Sequence, residues 1–254
     1  MTIPGSAICP LPDSGGGDII TLAHGEGGRL MRRLIRERIM HAVENETLLQ
    51  MGDAAQLPAV DGRLAMSTDS FVISPLFFPG GDIGSLAVYG TANDLAVSGA
   101  RPLWISLGLI LEEGLPLKTL DLVLQSIAEA ARQVGVQVVT GDTKVVPRGA
   151  ADQLFINTTG IGQVKKLSAG PRQLQPGDVI LVSGPIAKHG MAVMAIRESL
   201  AFEPVPTSDS GSLVPDQANK ERKFYLFLES SLMRTEIVWH RVSPLCSLEN
   251  NWSV

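Results

Sequence analysis

Three aspartates stand where a hydrophobic run gives way to small or glycine residues: Asp69 in Ser67-Thr68-Asp69-Ser70, Asp94 in Ala92-Asn93-Asp94, and Asp142 in Gly141-Asp142-Thr143-Lys144. A carboxylate at such a point reaches a bound ion without competing against a packed core. Together the three offer the hard oxygen ligands that Mg²⁺ takes, and protein-bound Mg²⁺ usually arrives with phosphates. Any one of them alone reads as a turn former or a solvated helix residue; the recurrence points to a shared ion. Asp53, in Gly52-Asp53-Ala54-Ala55, is a fourth metal candidate in a loop-like setting. Lys144, two residues beyond Asp142, would neutralise a phosphate as a point charge. His24-Gly25-Glu26-Gly27-Gly28 lets backbone N–H groups approach an anion, although such a cluster alone is more often a turn. No Gly-Lys-Ser or Gly-Lys-Thr phosphate loop occurs, so a nucleotide site has to be built another way.

The elements that must position these residues follow from periodicity. Asp18 to Leu22 reads as a short strand, and the glycine cluster leads into a helix with Leu30, Met31, Leu34, Ile35 and Ile39 on one face. Leu64 to Thr68 and Phe71 to Ile73 read as strand, interrupted at Asp69. Asp82 is placed to N-cap a helix running to about Ser98, with Ile83, Leu86 and Ala87 inward. Leu103 to Leu111 reads as an apolar strand, and 119–134 as a helix whose stripe is Leu120, Val123, Leu124, Ile127, Ala131 and Val134. Val136 to Thr140 is expected as a buried strand delivering Gly141-Asp142 at its end. Leu154 to Val164 is one strand or a pair bent at Gly160. After a turn at 175–178, strand Val179 to Val182 and a helix from about Gly190 to Leu200 open a new unit. His189, at the start of that helix, caps it or lines a cleft, with the cap favoured. The interleaving of helices and strands without a strict βαβ rhythm indicates an α+β fold. The expected organisation is a flexible tail over 1–17, a first domain over 18–165, the start of a second α/β domain over 172–213, and an anomalous tail over 214–254.

Composition narrows the function classes. The 254 residues are 44% hydrophobic and 19% charged, which indicates a packed globular chain. A formal charge of −5 argues against nucleic acid or anionic membranes as main partners. No apolar run reaches the roughly 18 residues of a membrane span, no secretory signal is visible, and two cysteines cannot build a disulfide framework. A cytoplasmic protein is expected. Cys9 and Cys246 have no basic surroundings to lower their pKa and read as inert thiols.

All 26 glycines lie at or before Gly211, whereas about five would be expected in the 43 residues that follow. That stretch also holds Phe224, Tyr225, Phe227, Trp239 and Trp252, five of the twelve aromatics. Residues 214–254 are expected to be poorly ordered, or at most an isolated helix around Phe224 to Met233, although the run Leu226 to Leu228 fits a strand equally well.

The segments Ser67 to Val72, Phe77-Phe78-Pro79-Gly80-Gly81, Gly90 to Ala100, and Gly141-Asp142-Thr143-Lys144-Val145-Val146, with Ala23-His24-Gly25 and Phe155-Ile156-Asn157-Thr158, closely resemble the HypE family of hydrogenase maturation factors, the carbamoyl dehydratases. The resemblance covers about 18–213. It implies an aminoimidazole ribonucleotide synthetase-like first domain, with a mixed sheet and flanking helices that pairs with its twin in a homodimer. It also implies Mg-ATP as the cofactor, bound in a cleft at the dimer interface. Carried over by motif, His24, Gly25, Gly27, Gly28, Thr68, Asp69, Asn93, Asp94, Asp142, Thr143 and Lys144 would bind ATP, and Asp53, Asp69, Asp94 and Asp142 would hold the metal. The family phosphorylates a carbamoyl group carried on a C-terminal cysteine and eliminates phosphate to leave a thiocyanate, the source of cyanide for a nickel–iron centre. Its partners are the carbamoyltransferase HypF and the HypC–HypD complex. The family's Arg-Asp-x-Thr-Arg-Gly-Gly stretch and terminal Pro-Arg-Ile-Cys are absent here, and Cys246 in Pro244-Leu245-Cys246-Ser247 is no equivalent. The expectation is therefore no catalytic nucleophile, an inactive dehydratase, and a tail from about 214 read out of frame. A non-catalytic ATP-binding or scaffold remnant is the alternative. Selenophosphate synthetase and thiamine-phosphate kinase are superfamily alternatives; the former is disfavoured because 23–29 contains no cysteine.

Overall fold

The computed structural model describes residues 18–165, 179–182, 186–214, 226–230 and 233–240. Its centre is a four-stranded sheet of β1 (Leu64–Phe71), β4 (Ala100–Glu112), β5 (Gln137–Val146) and β6 (Leu154–Val164), in the order β1-β6-β4-β5. β6 runs antiparallel to both neighbours, and β4 and β5 are parallel. Parallel neighbours need a long crossover, and helix α4 (Leu117–Val134) supplies it. A small ribbon, β2 (Phe77–Phe78) with β3 (Gly81–Asp82), precedes helix α3 (Ile83–Val97).

Helices cover one face of the sheet. α3 lies across β1, β6 and β4, and α4 packs on α3. The periodic apolar residues of α4 are all buried, with Leu120, Val123 and Ile127 fully so. Each contributes roughly 1.5–3 kcal/mol by leaving water. The side chain of Asp82 accepts from the backbone N–H groups of Gly84 and Ser85, which fixes the start of α3 as expected. Gly160 lets α3 approach closely: a Cβ there would lie 2.7 Å from Thr91 Cγ2. The opposite sheet face exposes Leu64, Met66 and Ile110.

Several elements depart from expectation. Asp18 to Leu22 is not a strand; Ile19 makes one bridge to Pro116 and Leu22–Gly25 is a 3₁₀ turn. Its only buried apolar anchor is Ile20. β1 runs unbroken through Asp69, because Asp69 pairs with Thr158 inside a continuous ladder. β5 continues to Val146 and places Asp142 in mid-strand, since β4 pairs with it as far as Glu112. In both strands, pairing overrides the low strand preference of aspartate. β6 is a single strand with Gly160 inside it.

The first helix divides into α1 (Arg29–Leu34), a π-helical turn at Ile35–Met40, and, after a break, α2 (Glu46–Leu49). Helix α5 spans Lys188–Arg197. Strand β7 (Val179–Val182) pairs with β9 (Met233–His240), which also pairs with β8 (Leu226–Ser230). The helix expected around Phe224 to Met233 is therefore strand over Leu226–Ser230. Consecutive apolar residues suit that period better than one helical face. The expected tail over 1–17 and both cysteines lie outside the described residues.

Candidate functional site

The sheet register divides the sequence-nominated residues into two groups. Asp69, Thr158, Leu107 and Gly141 fall in one row across the four strands, and Ser70, Asn157, Gly108 and Asp142 in the next. Successive residues of a strand point to opposite faces. Asp69 therefore lies on the helix-covered face and Asp142 on the open one. They also stand three strand spacings apart, on the order of 14 Å. Among the described residues, no three His, Cys, Asp or Glu side chains converge as one ion-binding set.

The first group sits where β1 meets α3. Ser67 lies two residues from Asp69 on the same face, and its hydroxyl donates to Asp94 Oδ2 at 3.0 Å. Asp69 and Asp94 are half-buried there. Asn93 ties down a distant segment. Its Nδ2 donates to the Gly211 carbonyl at 2.9 Å, and its Oδ1 accepts from the Leu213 N–H at 2.8 Å. Thr68 faces the open side, where its hydroxyl donates to the Thr158 carbonyl and accepts from Thr159.

The second group gathers at the β5 edge. Asp142 Oδ1 accepts from the Thr143 N–H at 2.9 Å, and the Lys144 ammonium pairs with the same carboxylate at 2.9 Å. Thr143 is buried and Lys144 exposed. The glycine segment is pressed onto this strand: a Cβ on Gly25 would lie 2.9 Å from that of Val145. Gly27 and Gly28 have open space around them. His24 is buried and its Nδ1 accepts from the Thr21 N–H at 3.1 Å, so the ring closes the 3₁₀ turn. Asp53 is exposed in the connection between α2 and β1.

Two features escape sequence reading. One is a chamber of about 210 Å³ between the π-helical turn, α2 and β5, lined by Met31, Ile39, Met40, Met51, Val139 and Asp142 among others. Its sequence signal was three methionines whose spacing fits no regular helix. The other is the setting of His189, which does not cap α5 as expected, the N-cap position being Ala187 without a side-chain bond: its Nδ1 lies 3.0 Å from Ser208 Oγ and 3.1 Å from Ser210 Oγ, with its ring edge-on to Phe78. His189 thus fastens 208–210 beside the Phe78-Pro79-Gly80 turn, where the Ser208 N–H donates to the Pro79 carbonyl at 2.7 Å. Among the described residues, no helix is long and apolar enough to cross a membrane.

Comparison with known proteins assigns this architecture. Residues 51–164 match the family described as AIR synthase related protein, N-terminal domain. The chain is 53% identical over 195 residues to carbamoyl dehydratase HypE of Azotobacter vinelandii, a match covering 76% of this chain and 57% of that protein. It is 52% identical over 202 residues to the Escherichia coli K12 carbamoyl dehydratase HypE, covering 77% of this chain and 60% of the relative. The chain thus spans a little under three-fifths of the length of the first of these relatives. A crystal structure of the hydrogenase maturation protein HypE in complex with ATP superposes with a TM-score of 0.72 at 50% identity, covering 76% of this chain and 57% of that one. A HypE–HypF complex gives a TM-score of 0.58 at 45% identity, covering 73% and 59%. Over the matched three-quarters of its length, the chain belongs to the AIR synthase-like superfamily and is of HypE type.

Proposed function

We propose that this chain is the ATP-binding and self-associating part of a carbamoyl dehydratase for hydrogenase maturation. The observation that carries the reading is the division of the nominated residues into two chemically different groups. Asp69 and Asp94 both lie where β1 meets α3, the latter held by Ser67. Mg²⁺ is commonly held by one or two carboxylates together with substrate phosphates and water, so this donor set fits it. The β5 edge offers the complementary groups: the Lys144 ammonium and the backbone N–H groups of the open Gly27-Gly28 segment.

A homodimer is part of the same reading: a second copy applied to the open sheet face would cover its exposed Leu64, Met66 and Ile110. Bound Mg²⁺ would draw charge from the transferring phosphoryl group. The chain's own residues would hold the metal (Asp69, Asp94) and position the phosphates (Lys144, Gly27, Gly28). A HypF-type partner supplying the carbamoyl group is part of this reading, supported by the relative solved with HypF.

Calorimetric titration of ATP with and without Mg²⁺ tests it. Asp69→Asn and Asp94→Asn are each expected to weaken Mg-ATP at least tenfold and leave metal-free ATP little changed. Equal affinity in the wild type and both variants, indifferent to Mg²⁺, would remove the metal reading.

A further inference from the structure

The first helical segment carries a basic face that has no part in the proposed ATP site. Arg29, Arg32, Arg33 and Arg36 stand at i, i+3, i+4 and i+7, the spacing of one helical face, and all four are exposed. Two features of this face oppose the helix that bears it. Arg29 with Arg33, and Arg32 with Arg36, are like-charge pairs four residues apart, which repel. Arg29 also opens the helix, where a cation opposes the dipole, and the first turn of α1 holds no acidic residue. Glu37 answers Arg33 alone, at 2.8 Å. Among the described residues, Arg29, Arg32 and Arg36 have no carboxylate partner. A chain of formal charge −5 thus concentrates positive charge against the preference of its own helix. Breaches of local consistency of this kind are expected at functional surfaces.

Beside this ridge lies a groove of about 540 Å³ between the π-helical turn and α4, which shares no lining residue with the chamber at β5. Ala42, Leu124 and Ala128 give it an apolar floor, and Arg38 is paired with Asp121 across it. Ridge and groove adjoin through Glu37, which lines the groove and pairs with Arg33. We propose that the two together dock an acidic amphipathic helix of a partner protein. Carboxylates three and four residues apart on such a helix repeat the spacing of the arginines, and guanidinium forks take carboxylates in bidentate pairs. Aliphatic side chains of the same helix would leave water on the groove floor, the usual helix-in-groove arrangement. A nucleic acid backbone brings the same charge but nothing for an apolar floor, and no aromatic side chain lines the groove for a base to stack on.

Fluorescence anisotropy with the whole chain tests this. The probe is a labelled synthetic helix with glutamate at i, i+3, i+4 and i+7 and leucine along the flanking face. The same helix with glutamine for glutamate, and a thymidine oligonucleotide, are the comparisons. The glutamate helix should bind at least tenfold tighter than the glutamine helix and lose that margin at high salt. Arg32→Gln combined with Arg36→Gln should weaken it at least tenfold. The same double variant should keep Mg-ATP affinity within twofold of the wild type and a thermal midpoint no lower, since it removes a like-charge pair. Ala128→Trp, which fills the groove floor, should weaken the glutamate helix at least fivefold. Equal binding of the two helices, or equal binding by the wild type and the arginine variant, would overturn the proposal. Full binding by Ala128→Trp would overturn the part given to the groove. An oligonucleotide that binds more tightly than the glutamate helix would overturn it in favour of nucleic acid. Parallel loss of peptide and Mg-ATP would overturn it by assigning the arginines to the nucleotide.

Discussion

Glu112, at the end of β4, shows how much one carboxylate can organise. It accepts from the backbone N–H groups of Gly149 and Gln153, which closes the connection between β5 and β6. Those two bonds, Gly149's first, hold its pKa below the usual carboxylate range, with Arg148 adding to the effect. The folded state thus favours the charged form, so the contribution is present above the unfolded value of 4.5 and is lost as pH falls through the lower folded value. Amide exchange at Gly149 and Gln153 should be protected at neutral pH and accelerate below that range. Glu112→Gln, which has one acceptor oxygen where the carboxylate has two, should leave one of the two amides unprotected at every pH. Asn93 has a comparable position, since both ends of its amide are spent on the backbone of Gly211 and Leu213. Asn93→Asp keeps the acceptor for the Leu213 N–H but sets a carboxylate against the Gly211 carbonyl. Proteolysis near 208–214 should quicken at least tenfold in that variant, as expected for loss of a bond worth roughly 1–3 kcal/mol. Unchanged cleavage would show that the segment is held by His189 and Pro79 alone.

At the scale of elements, legibility followed the strength of contrast between faces. α4 could be read nearly residue for residue, because its buried stripe of Leu120, Val123, Leu124 and Ile127 alternates with Lys118, Asp121, Gln125 and Glu129. The N-cap at Asp82 was equally plain, being a local bond between a side chain and the next turn. β1 and β5 were cut short in the sequence because Asp69 and Asp142 look like strand breakers. Only the partner strands, which lie about 90 residues away for β1, supply the ladder that absorbs them. The same blindness hid the opposite facing of Asp69 and Asp142, a consequence of register between strands and not of any one segment. The π-helical turn was invisible because Leu34, Ile35 and Ile39 satisfy an ordinary helical stripe on paper. Close approach of α3 to β6 gives a direct test of the packing. Gly160→Val must displace Thr91 or Leu95, and should lower stability by about 1–3 kcal/mol, read as the shift of the denaturant midpoint. A midpoint within error of the wild type would mean that α3 is looser on the sheet than its contacts indicate.

For the whole molecule, the open sheet face is where the proposed second copy would sit. If Met66 and its neighbours are covered by a second copy, an interface of upwards of roughly 2,000 Å² forms, in the range of permanent dimers. Light scattering at micromolar concentration should give twice the chain mass. Met66→Glu, 73% exposed in the single chain and therefore harmless to its fold, should give the monomer. A wild-type monomer would contradict the proposed pairing. The order β1-β6-β4-β5 carries a separate consequence for how the molecule is made. β1 touches no strand of its sheet except β6, so it has no partner until the chain has been synthesised to Val164. β4, α4 and β5 follow one another and can assemble as they emerge, since local connections close early. During that interval Leu64, Met66 and Phe71 form an orphan edge in a growing polypeptide, the kind of segment that chaperones hold. The candidate metal pair is born in two instalments: Asp94 arrives on α3 with the early-forming half, and Asp69 joins it only when the last strand of the sheet closes.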